Sequence, residues 1–259
     1  MDFAGLVFEQ KPFDGVFVMD VHTHCGGDPN CQIKAYDADG LICTMDRMGV
    51  DVACVSGIPA LYSDWKKGND EAAEVCAQYP DRFLAYAVAN PYYDDCDLEP
   101  YFRYDMGFAG LKIHGYAQKE IPENDPRFFK FYEFANKHKL PVLVHAWCPW
   151  EVDRMAEMAG KYPDMKVILG HSAFTVANPN AIAACKKYDN IYCDTTISNA
   201  CDNVIEDVVD KIGEDRLLYG SDMAFFTCIH NLGKIAMSSL TDQAKEKILG
   251  LNAKKLFEL

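Results

Sequence analysis

Phe17-Val-Met-Asp-Val-His22-Thr-His24 is the stretch whose reading decides the fold. Its first half, Phe17–Val21, is short and nearly continuous in apolar residues; its second half turns abruptly to imidazole. The pattern recurs. Comparable runs are Asp51–Ser56, Phe83–Ala89, Ala109–Ile113, Pro141–Val144, Lys166–Leu169, Asn190–Cys193 and Arg216–Tyr219, with starts 24 to 34 residues apart. That spacing suits one strand and one helix per unit, and short apolar runs suit parallel strands buried on both faces. Helices fit between them. Leu41, Ile42, Met45 and Met48 recur at helical spacing before Gly49, Asn69 is a candidate cap for a helix to Tyr79, and Pro126 suits the first turn of a helix through His138. Asp202 is a candidate cap for 203–211, and Thr241 or Asp242 for 243–249. Eight strand-helix units predict an α/β fold, one (β/α)8 TIM barrel over residues 1–259, with its active site at the C-terminal ends of the strands. An open doubly wound sheet shares the strand count, so closure is left to the tertiary structure.

Composition narrows the function. The 259 residues carry 25 Lys+Arg against 39 Asp+Glu, a net charge of −14, which argues against a protein that grips nucleic acid phosphates. No run approaches the ~18 uncharged apolar residues of a membrane span. The first residues lack the basic-then-apolar order of a signal peptide. The 11 cysteines include no Cys-x-x-Cys pair and mostly sit in apolar runs, so reduced thiols in a cytoplasmic protein are expected. A small-molecule substrate is the expected partner, and a homo-oligomer is compatible with the chain.

The polar residues collect at the ends of the runs. Five of the seven histidines stand there: His22, His24, His114, His145 and His171, with Lys112 and Asp222 beside them. His22 and His24 are two apart on a strand and share a face. With His145 and Asp222 they make a mixed nitrogen and oxygen donor set for one divalent cation, leaving an open position for water. His138 and His230 fall on helix or loop. Trp147 and Trp150 are candidates to wall a flat substrate, His114 shares a face with Lys112, and Lys34, Lys119 and Arg127 lie on loops that could reach the mouth.

These motifs together resemble the amidohydrolase superfamily, particularly its amidohydrolase-2 branch. The resemblance rests on Met19-Asp-Val-His22-Thr-His24, Gly110-Leu-Lys112-Ile-His114, Val142-Leu-Val-His145, Leu169-Gly-His171, Leu218-Tyr-Gly-Ser-Asp222 and the closing Ile248-Leu-Gly-Leu-Asn252-Ala-Lys-Lys-Leu-Phe257, and spans nearly the whole chain. It implies a metal-dependent barrel enzyme. Position by position, His22 and His24 match the strand-1 metal pair, His145 the strand-5 ligand, and Asp222 the strand-8 carboxylate that touches metal and moves the proton. His171 matches a histidine that binds a second metal or stabilises developing charge. Lys112 matches a lysine that is carboxylated and bridges two metals in some members and stays free in others; one ion is favoured over two. The implied cofactor is a divalent ion, Zn²⁺ first and Mn²⁺ also allowed. Asp20 and Thr195 are candidates to fix the ligand tautomers.

The leading expectation is a hydrolase of an ester, lactone or amide, in which metal-activated water attacks and Asp222 shuttles the proton. The alternative is a non-oxidative decarboxylase of an aromatic or unsaturated acid on the same metal. A TatD-like nuclease would place glutamate where Lys112 stands, and a phosphoesterase of the polymerase-and-histidinol-phosphatase type would follow Asp222 differently. A metal-binding scaffold without activity leaves the carboxylate at Asp222 unexplained.

Overall fold

Eight parallel strands run in sequence order around one sheet: β1 Met19–Cys25, β2 Val52–Gly57, β3 Phe83–Val88, β4 Phe108–Ile113, β5 Pro141–His145, β6 Lys166–Gly170, β7 Ile191–Asp194 and β8 Leu217–Leu218. The computed structural model describes residues 1–9, 11–29, 36–104, 106–172, 178–196 and 201–259. Closure is explicit. Val21 N donates to Tyr219 O at 3.0 Å, Asp222 N donates to His22 O at 2.8 Å, and Thr23 pairs in parallel with Met223. The sheet therefore closes as a (β/α)8 barrel, which leaves no edge to protect. Every predicted strand is present.

Alternation along the strands sorts the side chains. Met19, Val21, Cys54, Tyr86, Leu143, Ile168 and Leu218 fill the barrel interior as one cluster. Their neighbours, among them Val55, Ala87, Leu111, Val144, Leu169 and Cys193, face the helices in a second, larger cluster. The C-terminal stretch seals the end away from the site. Asn252 Nδ2 donates to Leu217 O at 2.9 Å, and Phe257 packs edge-on against Tyr86 with centroids 6.1 Å apart.

Several helix starts differ from expectation. The helix Trp65–Gln78 is capped by Asp64, which accepts from Lys67 N, and not by Asn69. Asn69 is fully buried inside that helix, where its Oδ1 accepts from Val88 N at 2.8 Å; an amide there serves β3 instead of a helix end. Asp202 caps nothing: the helix Val204–Ile212 begins after Asn203, whose φ of 59° turns the chain in. Pro126 opens a 3-10 turn, Pro126–Phe128, ahead of the helix Phe129–His138. Thr241 is the cap of Asp242–Glu246, its side chain accepting from Ala244 N. Every cysteine among the described residues is free. No helix among them is long and apolar enough to cross a membrane.

Candidate metal centre and its cavity

The site begins with an irregularity in β1. Asp20 pairs with Ala53, but Thr23 pairs with Val55, so β1 carries one residue more than β2 between these points. Before this bulge the odd residues Met19 and Val21 face inward. Beyond it His22 and His24 line the cavity at the mouth. A bulge re-aims side chains in just this way, and here it exchanges apolar packing for two imidazoles within one strand.

Those rings meet the carboxylate that follows β8. His24 Nε2 lies 3.0 Å and His22 Nε2 3.6 Å from Asp222 Oδ1. The three residues offer ligand atoms within 4.8 Å of one another, the one such His/Cys/Asp/Glu group among the described residues, and all three are buried. The far nitrogens are engaged. His22 Nδ1 lies 2.8 Å from Asp194 Oδ2, and His24 Nδ1 lies 3.0 Å from Ser56 Oγ. Burial, aided by Lys112, holds His22 down at about pKa 3, and burial lowers His24 as well, so both are neutral imidazoles. Burial works against ionisation of Asp222, but the hydrogen bond from His24 and the surrounding imidazoles outweigh it and hold the carboxyl well below its usual range. Two neutral imidazoles and one carboxylate are a donor set that a divalent cation fits.

Lys112 is fully buried on β4, and its Nζ stands 2.8 Å from His22 Nε2. Burial pulls its pKa down to about 8, against the pull of Asp222 and Asp194. The opposite wall is built of rings. His114 stacks on His145 with centroids 3.9 Å apart and planes 10° from parallel, and Trp147 lies beyond His145 at 6.2 Å and 13°. Burial lowers both imidazoles far below their usual range, with Lys112 adding to the effect on His114 and His114 to that on His145. Tyr62, Phe225 and Phe226 complete a cavity of about 180 Å³.

Most expected site residues converge. His22, His24, Lys112, His114, His145, Trp147, His171 and Asp222 all line this one cavity. His145, expected as a ligand, stands outside the compact metal group and against His114. Trp150 is absent from that lining and borders a separate pocket with Glu123 and Arg154. Arg127 is turned to Asp125 and Lys119 lies over the Tyr92 ring, while Lys34 falls outside the described residues. Neither expected tautomer-setting partner touches an imidazole. Asp20 precedes the bulge and so faces away from the cavity; its Oδ1 accepts from His22 N at 3.1 Å and Ser221 N at 3.0 Å, tying β1 to β8. Thr195 Oγ1 donates to Gly220 O at 3.3 Å. The partner is Asp194, which the expected seventh strand stopped one residue short of. Its position at a strand end was the available signal. Ser56, Tyr62, Phe225 and Phe226 were also missed, having no titratable pattern to mark them.

The chain matches the amidohydrolase family model over residues 20–259. It belongs to that family. Similar family members include the γ-resorcylate decarboxylase of a Rhizobium species, 24% identical over 88% of this chain and 86% of its own length. Another is the 2-amino-3-carboxymuconate-6-semialdehyde decarboxylase of Dictyostelium discoideum, 21% identical over 93% of this chain and 79% of its own. A solved dihydroxybenzoic acid decarboxylase from Polaromonas, with bound manganese and the inhibitor 2-nitroresorcinol, shares the fold with a TM-score of 0.71 at 18% identity, over 94% of this chain and 97% of that one. These relatives overturn the expectation of a hydrolase and favour the decarboxylase alternative. The sequence misled because one donor set is compatible with both reactions.

Proposed function

We propose that this protein is a metal-dependent, non-oxidative decarboxylase of a small aromatic or unsaturated carboxylic acid. One observation carries the proposal: a buried His22–His24–Asp222 donor set shares a cavity of only about 180 Å³ with flat rings on the facing strands. That volume lies below the roughly 300 Å³ at which drug-sized pockets begin, and suits a single ring. The decarboxylase relatives support the same chemistry.

His22, His24 and Asp222 would hold one divalent ion, Mn²⁺ or Zn²⁺, with His145 lining the same cavity. When bound, such an ion supplies Lewis-acid polarisation of the substrate's oxygens. The chain's own residues do the rest. The stacked His114, His145 and Trp147 hold the substrate's plane. Lys112 keeps much of its charge at neutral pH and offers a counter-charge to the carboxylate. Asp222 begins as a carboxylate, so it first accepts a proton, from a substrate hydroxyl or from water, and then delivers it to the carbon bearing the carboxylate. The carbon–carboxylate bond then breaks, its electron pair returns to the ring, and CO₂ leaves: Ar–COO⁻ plus H⁺ gives Ar–H plus CO₂. His171 Nδ1 donates to the Thr196 carbonyl at 3.0 Å, which leaves Nε2 to accept a hydrogen bond from a substrate hydroxyl. Free buried thiols suit a reducing, cytoplasmic setting.

The test is product analysis. Mn²⁺-loaded protein incubated with γ-resorcylate and related hydroxybenzoates is expected to release CO₂ and the matching phenol in equal amounts. Absence of CO₂ from the whole panel, with cleavage of esters or lactones instead, overturns the proposal.

A further inference from the structure

Asp194 stands at the end of β7, fully buried, and four donors converge on it. Oδ2 faces His22 Nδ1 at 2.8 Å and accepts from Thr196 Oγ1 at 2.9 Å. Oδ1 accepts from His171 N at 2.8 Å and from Thr196 N at 3.0 Å. One carboxylate thus touches the ring of a residue in the metal-binding group and the backbone of His171, whose φ of 64° places it in the left-handed region. Two glycines make room. A Cβ on Gly220 would stand 2.4 Å from Thr196 Oγ1, 3.0 Å from His22 Cβ and 3.1 Å from Asp194 Oδ2; one on Gly170 would stand 2.9 Å from His22 Cε1.

We propose that Asp194 is a positioning residue that fixes the His22 tautomer, keeping the proton on Nδ1 and the lone pair of Nε2 pointed at the metal position. A carboxylate oxygen only accepts, so the nitrogen facing it donates. The far side of the ring agrees: Lys112 Nζ, a donor, stands 2.8 Å from Nε2. The inference rests on the metal reading above, because an Nε2 lone pair has a purpose only if a cation takes it.

The two sides of Asp194 differ in a way that makes a single atom change decisive. The Oδ1 side meets two backbone N–H groups, which can never accept. The Oδ2 side meets an imidazole and a hydroxyl, which can do either. In Asp194→Asn the amide oxygen therefore stays on the backbone side, and the amide NH₂ turns to His22. Its N–H then donates to Nδ1, the ring proton moves to Nε2, and the metal-facing lone pair is lost. The backbone anchor of His171 is retained, so the fold survives while ligation suffers.

Two measurements test this. Long-range ¹H–¹⁵N spectra of metal-free, ¹⁵N-histidine-labelled protein report the tautomer, with His22→Gln identifying the signal. Wild type is expected to carry the proton on Nδ1 and Asp194→Asn on Nε2. Titration with Mn²⁺ alone is expected to show affinity about 10- to 100-fold weaker in Asp194→Asn, the range usual for losing the partner of a ligating histidine. A wild-type His22 protonated on Nε2 overturns the inference even if the variant fails to fold, as does Mn²⁺ affinity within about threefold of wild type in a folded variant. Wild-type protein that shows the Nδ1 tautomer but binds neither Mn²⁺ nor Zn²⁺ overturns the metal reading, and with it the purpose assigned to Asp194.

Discussion

On the β1, β7 and β8 side of the mouth, each imidazole of the metal group is held by hydrogen bonds at both ring nitrogens: His22 between Asp194 and Lys112, His24 between Ser56 and Asp222. On the β4 and β5 side, His114, His145 and Trp147 are held chiefly face to face. The two modes of holding a ring do different work. Hydrogen bonds are directional and fix the orientation of each ring, and at His22, between Asp194 and Lys112, they leave the lone pair on Nε2, which a cation requires. Stacking fixes a plane but tolerates sliding, which suits recognition of a flat substrate. The cavity has one wall of each kind.

Breaking the hydrogen-bonded wall should cost most. Asp222→Asn keeps the shape but neither accepts nor delivers a proton, so turnover on a hydroxybenzoate should fall at least about 10³-fold, within the range for losing a proton-transfer group; steady-state assays of CO₂ release check it. Gly170→Ala places a Cβ 2.8 Å from Val144 O and 2.9 Å from His22 Cε1. It should weaken Mn²⁺ binding about tenfold and cost about 1–3 kcal/mol of stability through overpacking, read by metal titration and denaturant unfolding.

The stacked wall should give way more gently. Trp147 is 49% exposed and closes the stack from outside. Trp147→Ala should raise KM by an amount equivalent to about 0.5–1.5 kcal/mol with kcat nearly unchanged. Equal losses in kcat would show that the two walls are not separate. The smallest effect sits behind the first wall. Lys234 Nζ donates to Thr195 O at 2.9 Å, next to Asp194, and burial lowers its pKa to about 8, against the pull of Asp194. Between about pH 8 and the ordinary value of 10.5 the unfolded chain holds this proton and the folded chain does not, so stability on this account rises with pH across that window. Wild-type Tm minus that of Lys234→Met, in metal-free protein, should therefore grow by a few degrees from pH 7.5 to 10.5; a flat difference removes Lys234 from the support of that wall.

Much of this was legible in the chain itself. The eight apolar runs determined the strands, because a strand buried on both faces has to be apolar along its length. The residues that close each run determined that imidazoles, a lysine and a carboxylate would share one mouth, since parallel strands all end on the same side. Helix starts were less legible: Asn69 has the chemistry of a cap, and only its neighbours show that it serves β3. The choice between hydrolysis and decarboxylation was not legible, because the same donors serve both.

Tertiary structure decided the rest. Closure needed β8 to meet β1, a contact between residues about two hundred positions apart. The bulge between Asp20 and Thr23 decided that His22 and His24 face the cavity, since strand periodicity sets which residues share a face but not which face is inside. Asp194, 172 positions from His22, became the partner of its ring, and His145 came to rest against His114. Each outcome depends on distances between strands far apart in the chain. Residue order carries the side chains to the rim; only the closed barrel sets which atoms touch.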